Sequence, residues 1–500
     1  MMIEDIKRYF EFNKQDSFQR LDDETCQDLN LDELFLYLDY TKSSVGKQYL
    51  YNLLRNIPSR NIIAENEDWI SAYGQNTDLK SKIEKLLSKL NSSDAYSICS
   101  LFLFDHPVVS QKRLLFYRIL QFIPFTTLLL FIFFNSQIAV FALFASFILN
   151  LIIHYKTKQT TFVHSSSIPQ LLKMLNIAKN LATFVSFKGE DINAALVNVK
   201  TMRKHFSLFR FESKLDSDTT VMVWFISEIY RIFFLLEPVA LNKAFMAIQD
   251  RKDDVENIFR FVGLTDTLQS VAGLRASITN YCIPRFVSES ELSAKGVYHP
   301  LIENCVKNSF SLDNRSFLIM GSNMSGKTSF MRTVAINVLS AQVLNTCFAS
   351  GFTLQRQKIW TAITLGDSLT EGVSYYLSEV LRIKSILENC AEGANLIVID
   401  ELFKGTNTEE RIAISISVLK YLVKNSNNIV LISTHDTKLQ GLIDDKQYTL
   451  IHFKEIVEDN NLSFPYLIQE GKPTTRNAIK ILELYKYPSE IVDEALNNVN

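Results

Sequence analysis

The chain has 500 residues, of which 47% are hydrophobic and 21% charged, and its formal net charge is −2. This length predicts about two to four domains, and the near-neutral balance excludes a global basic field that would attract nucleic acid, although a local basic patch stays compatible with it. The six cysteines include no C-x-x-C pair and the seven histidines form no cluster, which disfavours a zinc site or disulfide framework and favours reduced thiols in a cytosolic protein.

Residues 1–110 predict an N-terminal helical segment. Apolar positions recur with helical spacing in stretches such as Leu31–Leu54 and Leu79–Leu90. The first five residues are acidic and polar in character, so the sequence predicts no cleavable signal peptide.

Residues 111–158 predict a transmembrane helical hairpin. No charged residue occurs within 119–153, and a short polar break divides the run into spans of about 114–134 and 138–155, each near the ~20 residues that cross a bilayer. Basic residues flank both outer ends, so the positive-inside rule places both termini in the cytoplasm. The alternative is a helical hairpin buried inside a soluble domain.

Residues 159–280 again predict long amphipathic helices, for example Ile168–Val185. The apolar stretch Val221–Leu236 contains Glu228 and Arg231, which favours a core helix over a third membrane span. Together with the N-terminal segment, these residues predict an all-α core or lever domain that the hairpin interrupts.

Residues 281–470 predict an α/β domain, because short strand-like segments and helices alternate from there onward. Within it, Gly321–Thr328 reads Gly-Ser-Asn-Met-Ser-Gly-Lys-Thr, after the apolar run 317–320 and before a helical pattern. This is the phosphate-binding loop G-x-x-x-x-G-K-[ST] in the strand–loop–helix setting that the motif requires. The preceding strand and the Lys-Thr end disfavour the alternative, a Gly/Ser-rich surface turn.

Each position of the loop has a chemical reason. Gly321 and Gly326 let successive backbone N–H groups converge on a phosphate. Lys327 is expected to reach the β- and γ-phosphates of ATP, and the Thr328 hydroxyl to take a coordination position on Mg²⁺. The predicted nucleotide-binding residues of the loop are Gly321, Ser322, Asn323, Met324, Ser325, Gly326, Lys327 and Thr328.

Two aliphatic strands end in candidate catalytic residues. The first ends at Asp400, at the edge where α/β sheets bind ligands. We expect Asp400 to hold Mg²⁺ and Glu401 to polarise the attacking water. The second strand is followed by His435, which can contact the γ-phosphate or the water; the alternative is a structural histidine at a strand end.

Two polar loops accompany these strands. The loop 403–408 follows the carboxylates, and 366–374 leads into a helix that contains Glu379. Taken locally, the second loop also fits an ordinary helix N-terminus with acidic residues in its first turn.

The whole constellation resembles the ATPase domain of the MutS family of DNA mismatch-repair proteins, a branch of the ABC-type ATPases. The matching pieces run in the family's order, and the Asn-Met inside the loop is typical of this family. They are Tyr298–Leu301, Gly321–Thr328 with Met331-Arg332, Asp367–Ser374, Asp400-Glu401 with Gly405–Thr408, and Ser433–His435. The tail Gln469–Ala495 resembles the family's C-terminal helical segment, so residues 471–500 are expected to help pair two subunits.

This resemblance implies a composite site at a homodimer interface. Asn323 and the other loop residues would act in one subunit, together with Asp400, Glu401 and His435. Ser374 would reach across to the γ-phosphate held by the partner, and Phe310 is a candidate for stacking on adenine. Two departures put the hydrolysis rate and the subunit contacts in doubt: Glu409-Glu410-Arg411 and Tyr375-Tyr376 stand where the family has other residues.

The N-terminal half resembles the family more loosely. Leu38–Leu54 is similar to the start of the helical core domain, and 165–280 to its return to the ATPase. The mismatch-reading domain has no room before the core-like segment, and Tyr9-Phe10-Glu11 is too slight a match for its wedge. Because the hairpin falls where the family places its DNA clamp, we hypothesise that this branch exchanged the clamp for a membrane hairpin.

Three functions follow from these patterns. The first is a dimeric, DNA-associated ATPase of the MutS type, anchored in the cytoplasmic (inner) membrane as a multi-pass protein with its ATPase domain in the cytoplasm. The second is a membrane-bound regulatory or mechanical ATPase that does not bind mismatched DNA. The third, an ATP-binding scaffold without turnover, is disfavoured because both Asp400 and Glu401 are present.

Overall fold

The computed structural model describes most of the chain. The described residues are 3–13, 17–104, 111–187, 192–206, 221–322, 324–364, 375–404, 406–444, 446–458, 461–472, 482 and 485–499. They fold as two compact units. The first unit contains Met1–Gln15, Tyr40–Asn52 and Asn66–Ala272, and the second contains Asp16–Asp39, Leu53–Glu65 and Gly273–Asn500. The expected division into five consecutive segments stays a prediction.

Helices dominate the chain up to residue 277. In order, the elements there are α1 (Ile3–Phe12), β1 (Gln19–Arg20), α2 (Asp23–Asp28), α3 (Leu31–Leu38), α4 (Ser44–Arg55), β2 (Asn56–Ile57), α5 (Ile62–Glu65), α6 (Glu67–Gln75), α7 (Thr77–Leu87), α8 (Ile98–Leu103), α9 (Gln111–Phe134), α10 (Gln137–Leu181), α11 (Ile192–Asn198), α12 (Val221–Phe233), α13 (Leu236–Gln249) and α14 (Lys252–Ser277). Short 3₁₀ turns lie at Ser88–Leu90, Ser93–Ser97 and Met202–Phe206.

Strands and helices alternate from residue 285 onward, which confirms an α/β arrangement after a helical N-terminal region. The elements are β3 (Arg285–Val287), β4 (Glu291–Val297), β5 (Asn308–Asp313), β6 (Ser316–Met320), α15 (Lys327–Leu344), β7 (Gly351–Gln355), β8 (Lys358–Ala362), α16 (Tyr375–Asn389), β9 (Asn395–Asp400), α17 (Thr408–Leu422), β10 (Asn428–Thr434), a 3₁₀ turn (Thr437–Gly441), β11 (Tyr448–Phe453), β12 (Ile456–Glu458), β13 (Asn461–Ser463), β14 (Ile468–Glu470) and α18 (Ser489–Val499).

A buried carboxylate organises the core of the first unit. Asp266, on α14, accepts hydrogen bonds from the backbone N–H of Lys42 (2.9 Å) and from both the N–H (2.8 Å) and the hydroxyl (2.5 Å) of Ser43. These bonds pair backbone N–H groups just before the start of α4. The first N–H groups of a helix have no partner within the helix, so they need acceptors of this kind. Gly46 makes the close approach possible, because a Cβ there would lie 2.1 Å from Asp266 Oδ2.

The apolar run forms two long helices on either side of a turn. α9 and the Gln137–Gln159 part of α10 have mean hydropathies of 1.7 and 2.1 over 18 residues, and only 22% of each such stretch is buried. Phe133 and Phe141 are each 76% exposed. Among the described residues, these two helices are long and apolar enough to cross a membrane.

The stretch expected to be a core helix has a different character. α12 covers most of it, but Phe225, Ile226 and Tyr230 on this helix are 59%, 58% and 58% exposed. The expectation of a core helix was therefore wrong. The charged side chains of Glu228 and Arg231 are only 9% and 13% exposed and face the protein. Much of the apolar surface of the helix faces away from it.

A six-stranded sheet forms the centre of the second unit, in the order β14-β11-β6-β10-β9-β8. The four pairings from β11 to β8 are all parallel, and β14 pairs antiparallel with β11 at the edge. The strands β6, β9 and β10 are buried almost throughout, as continuous aliphatic runs predict for a sheet covered on both faces. A second sheet has the order β3-β7-β4-β5.

Early segments of the chain complete this second unit. Asp28, on α2, accepts hydrogen bonds from the Thr361 hydroxyl (2.6 Å) and from the N–H groups of Ile363 (2.9 Å) and Thr364 (2.6 Å). Arg382, on α16, donates to Asp22 at 2.9 Å and to the Thr361 carbonyl at 2.8 Å. The end of β8 and the middle of α16 are therefore fixed by residues more than 300 positions away in sequence.

Candidate nucleotide site

The loop Gly321–Thr328 connects β6 to α15, in the strand–loop–helix order predicted from its sequence. Gly321 and Gly326 have φ angles of 144° and 102°, which L-residues with a Cβ rarely adopt. Space is limited as well. A Cβ at Gly326 would lie 2.9 Å from the Tyr466 ring, and one at Gly321 would lie 2.8 Å from Ser325 Oγ. Both glycines are therefore required by conformation and by packing.

Lys327 begins α15, and its ammonium group curls back over the loop. Nζ donates to the carbonyl oxygens of Gly321 (2.8 Å) and Ser322 (2.7 Å). Burial lowers the pKa of Lys327, while the carboxylates of Asp400 and Glu401 act in the opposite direction. The loop therefore concentrates positive charge at its mouth, next to the N-terminus of a helix whose dipole also favours anions.

Thr328 and Asp400 meet beneath this ammonium group. The Thr328 hydroxyl donates to Asp400 Oδ2 at 2.7 Å, and the Ser433 hydroxyl donates to Asp400 Oδ1. One carboxylate and one hydroxyl suit Mg²⁺, which commonly uses few protein oxygens and completes its shell with waters and substrate phosphates. The described residues contain no cluster of three or more His, Cys, Asp or Glu side chains that could hold a metal ion.

Glu401 and His435 form the next pair. Glu401 Oε1 lies 2.7 Å from His435 Nε2, and Glu401 Oε2 lies 3.5 Å from the Lys404 ammonium group. The hydrogen bond from His435, supported by Lys404, outweighs burial and lowers the pKa of Glu401 to about 2. The carboxylate is therefore ionised at neutral pH and can accept a hydrogen bond from a water molecule.

An unusual turn positions Glu401 at the end of β9. Glu401 and Phe403 both have left-handed backbones, with φ angles of 62° and 57°, and such strain in non-glycine residues clusters at functional sites. The Phe403 N–H donates to the carboxylate of Glu379, on α16. Burial raises the pKa of Glu379.

Sequence reasoning noted Glu379 but gave it no role. The structure indicates that it holds the turn that carries Glu401. An acidic residue in the first half of a helix is too common a signal to identify a partner 24 positions away.

Arg411, part of the departure from the family pattern at 409–411, has a clear structural role. Arg411, on α17, donates through Nε and Nη2 to the two carboxylate oxygens of Asp436, at 3.1 and 3.0 Å. Asp436 directly follows His435. A bidentate pair is geometrically specific, so this arginine fixes the segment that presents the imidazole.

A cavity of about 740 Å³ opens in front of these groups. Its lining includes Lys327, Thr328, Asp400, Glu401 and His435, and its aromatic walls are Phe330, Phe453 and Tyr466. This volume is in the range of small-molecule sites. Phe310 packs edge to face against Phe317 and Phe330, at centroid distances of 5.7 and 5.8 Å, behind that wall. Its role in adenine stacking stays a prediction.

The structure thus brings together eight of the predicted site residues around one cavity, namely Ser322, Met324, Gly326, Lys327, Thr328, Asp400, Glu401 and His435. Met324 is 82% exposed with a φ of 73°, and Ser325 is buried. Asn323 and Ser374 lie outside the described residues, as do the rest of 366–374 and Gly405. The predictions for them stay untested.

Comparison with known proteins matches this region to a family. Residues 317–500 match the family model of MutS domain V. The DNA mismatch repair protein MutS of Clostridium kluyveri is 30% identical over 277 residues, which is 51% of this chain and 31% of the relative. The protein of the same name from Aquifex pyrophilus is 30% identical over 330 residues, 61% of this chain and 37% of the relative. The chain therefore spans about a third of the length of the curated relatives it matches.

Proposed function

The chain belongs to the MutS family, and from that membership we propose that its second unit binds ATP with Mg²⁺ and hydrolyses ATP as an ABC-type P-loop domain. The observation that carries this proposal is the group of five functional side chains around one cavity. They are Lys327, Thr328, Asp400, Glu401 and His435.

Each side chain has a task that its geometry supports. Lys327 neutralises charge on the β- and γ-phosphates, next to the helix N-terminus. Thr328 and Asp400, whose side-chain oxygens lie 2.7 Å apart, would hold Mg²⁺, which would supply positive charge to stabilise the charge that develops on the phosphates. Glu401 accepts a hydrogen bond from the water that attacks the γ-phosphorus, and the bond from that phosphorus to the ADP oxygen breaks. His435 keeps Glu401 ionised and oriented.

The complete site requires a second copy of the chain. By its resemblance to the family, Ser374 contacts the γ-phosphate bound by the partner subunit, so ATP links two ATPase units into a homodimer. The C-terminal segment 471–500 contributes to pairing. Such an arrangement makes ATP binding a switch between open and closed dimers.

The hairpin formed by α9 and the first part of α10 anchors the protein in the cytoplasmic membrane. Its apolar side chains are largely exposed, which is costly in water over so large an area and expected in lipid. Lys112 and Arg113 lie at its start, and Lys156 and Lys158 lie at its end. The termini and the ATPase unit therefore lie in the cytoplasm.

Association with mismatched DNA is the expectation from the family, as the names of the relatives indicate for those proteins. The exposed hairpin favours a second candidate, a membrane-bound regulatory or mechanical ATPase that acts without DNA. Titration of purified protein with homoduplex and heteroduplex DNA at two salt concentrations separates the two, since phosphate contacts weaken steeply with salt. Tight, mismatch-selective binding would reject the second candidate and also our hypothesis that the clamp was replaced.

Hydrolysis itself is tested with purified full-length protein. We expect Mg²⁺-dependent release of phosphate from ATP, and loss of ATP binding in Lys327→Ala, measured with a fluorescent ATP analogue. Lys384→Ala is the matched control, because this lysine is 66% exposed on the surface of the same unit. Wild-type turnover in Lys327→Ala would reject the site.

A further inference from the structure

α12 has an inverted distribution of polarity. Phe225, Ile226, Ile229 and Tyr230 are between 40% and 59% exposed and follow one another at helical spacing along one side. On the opposite side, the Glu228 side chain is only 9% exposed. A helix on a protein surface in water has the reverse arrangement, with its apolar stripe toward the core.

The inward side of α12 carries a compact ionic cluster. Glu228 Oε1 lies 3.3 Å from His154 Nε2 and 3.4 Å from the Lys158 ammonium group. Glu228 Oε2 lies 3.6 Å from Arg231, and Glu237, at the start of α13, lies 3.4 Å from the same His154 nitrogen. Charged side chains in a membrane face the interior of a helix bundle and pair with one another in this way.

The end of α12 gives a second, independent observation. The helix stops at Phe233, Leu235 adopts a left-handed backbone with a φ of 45°, and α13 departs at 68°. The carbonyl of Phe233 accepts a hydrogen bond from Asn150 (2.9 Å), and that of Phe234 from Gln121 (2.7 Å). One amide thus comes from each helix of the hairpin. A helix can break within a membrane only where neighbouring groups satisfy its freed backbone in this manner.

The position of these contacts gives a depth. The flanking basic residues mark the cytoplasmic ends of the two spans, about 114–134 and 138–155. Gln121 lies seven residues after 114, and Asn150 lies five residues before 155. At ~1.5 Å per residue, the two amides lie roughly 8–11 Å from these ends, within the cytoplasmic half of a hydrocarbon core of ~30 Å. α12 approaches that depth with its apolar side facing outward.

We propose that α12 is a third membrane-embedded element, a half-helix that enters from the cytoplasmic side, ends within the cytoplasmic half of the bilayer and turns back at the start of α13. Lipid acyl chains cover its exposed side, formed by Phe225, Ile226, Ile229 and Tyr230. This side continues the lipid-facing surface of the hairpin and contains no charged residue. The inference rests on the proposed membrane anchoring.

Spin labelling in proteoliposomes tests this placement. Single cysteines at Ile226 and Ile229 are introduced into a background with Cys282→Ser and Cys305→Ser, the two partly exposed native cysteines. The label's collision rates with oxygen, which concentrates in lipid, and with a water-soluble nickel chelate report its surroundings. Phe133→Cys on the hairpin is the lipid control, and Val197→Cys, a 67% exposed apolar position on α11, is the water control. ATP binding by each variant verifies folding.

The outcomes separate the two levels of the proposal. We expect the labels at 226 and 229 to match the oxygen-rich, nickel-poor values at 133. If the labels at 226 and 229 match 197 while 133 is lipid-like, the anchor stands and the half-helix is rejected. If 133 also matches 197, the anchor fails and the half-helix with it. If 226 and 229 are shielded from both reagents, another protein surface covers α12 and the lipid assignment is overturned.

Discussion

His435 Nε2 lies 2.7 Å from Glu401 Oε1 and 3.5 Å from Lys327 Nζ. The imidazole therefore connects the carboxylate proposed to orient water with the cation proposed to hold phosphate. In neutral histidine, an N–H on Nε2 donates to Glu401, which leaves Lys327 to donate to the loop carbonyls instead. A nucleotide phosphate would replace those carbonyls as the acceptor of the Lys327 hydrogen bonds without disturbing the Glu401–His435 pair.

Glu401→Gln should separate binding from hydrolysis. The amide keeps the size of the side chain but loses the negative charge that accepts a hydrogen bond from water, so turnover should fall by about 10²–10⁴-fold while ATP still binds. With hydrolysis blocked, the ATP-bound dimer should accumulate, which light scattering in detergent can measure. Glu388→Gln is the control, because this side chain is 64% exposed on α16. Unchanged turnover in Glu401→Gln would reject its role.

The rate of ATP hydrolysis at low pH should depend on His435. The hydrogen bond from His435 is the main cause that holds the pKa of Glu401 at about 2, below its ordinary value of 4.5. Glu401 in the native protein is thus ionised throughout pH 4.5–8. In His435→Ala the pKa of Glu401 loses its main lowering cause and should rise, so relative activity should fall as the pH drops toward the acid end of this range.

Normalised pH–rate profiles between pH 4.5 and 8 test this assignment. His435→Gln retains an N–H donor and should restore part of the native acid limb. Three superimposable profiles would show that this hydrogen bond does not control the ionisation of Glu401.

Tyr466 should contribute to nucleotide affinity through its ring. It lines the cavity and packs over Gly326, and aromatic stacking on a base contributes about 1–3 kcal/mol. Tyr466→Ala should weaken ATP binding accordingly and leave binding of inorganic tripolyphosphate unchanged, as measured by calorimetry. Phe310→Ala is the comparison: a larger loss of ATP affinity there would instead support the adenine role implied by the family resemblance.

Gly46→Ala should destabilise the first unit. The added methyl group would lie 2.1 Å from Asp266 Oδ2, and overpacking of this kind costs about 1–3 kcal/mol. Gly74→Ala is the matched control, since it also lies in a helix but its Cβ would meet nothing within 4 Å. That change should be neutral or slightly stabilising. Thermal unfolding in detergent compares the two variants, and equal melting temperatures would contradict the packing argument.

The full-length protein should stay in the membrane pellet after carbonate extraction. Phe122→Arg together with Ile148→Arg places charge near the centre of both spans, at a cost of about 2.5–3.5 kcal/mol for each substitution, and should release or deplete the membrane-bound form. Val197→Arg, on an exposed position of α11, should have no such effect. Recovery of native protein in the soluble fraction would favour the alternative of an internal hairpin.

The parts of the site that could be predicted are those that local sequence encodes. Gly321, Gly326 and Lys327 form a motif with fixed spacing, and the aliphatic runs before Asp400 and His435 predicted buried strands whose ends meet at one sheet edge. The contacts that could not be predicted join residues far apart in sequence. Nothing near Glu379 indicates Phe403 as its partner, and nothing near Asp28 indicates Thr361.

The inverted polarity of α12 shows a second limit of prediction from sequence. Composition alone cannot distinguish a core helix from a helix whose charged side is buried, because both have the same residues. The assignment depends on which side faces the protein, and that is decided by His154 and Lys158, some 70 positions earlier.

The pairing of Asp28 with Thr361 also sets an order for biogenesis. Asp28 is 2% exposed in the finished protein, yet its partners are synthesised 333 residues later, as the difference between 361 and 28 gives. At ~5–20 residues per second, translation of that interval takes roughly 15–70 s. The apolar helices emerge from the ribosome well within it. The proposed membrane insertion would therefore precede completion of the second unit, and the nascent segment around Asp28 would have to remain soluble and unpaired until the C-terminal half arrives.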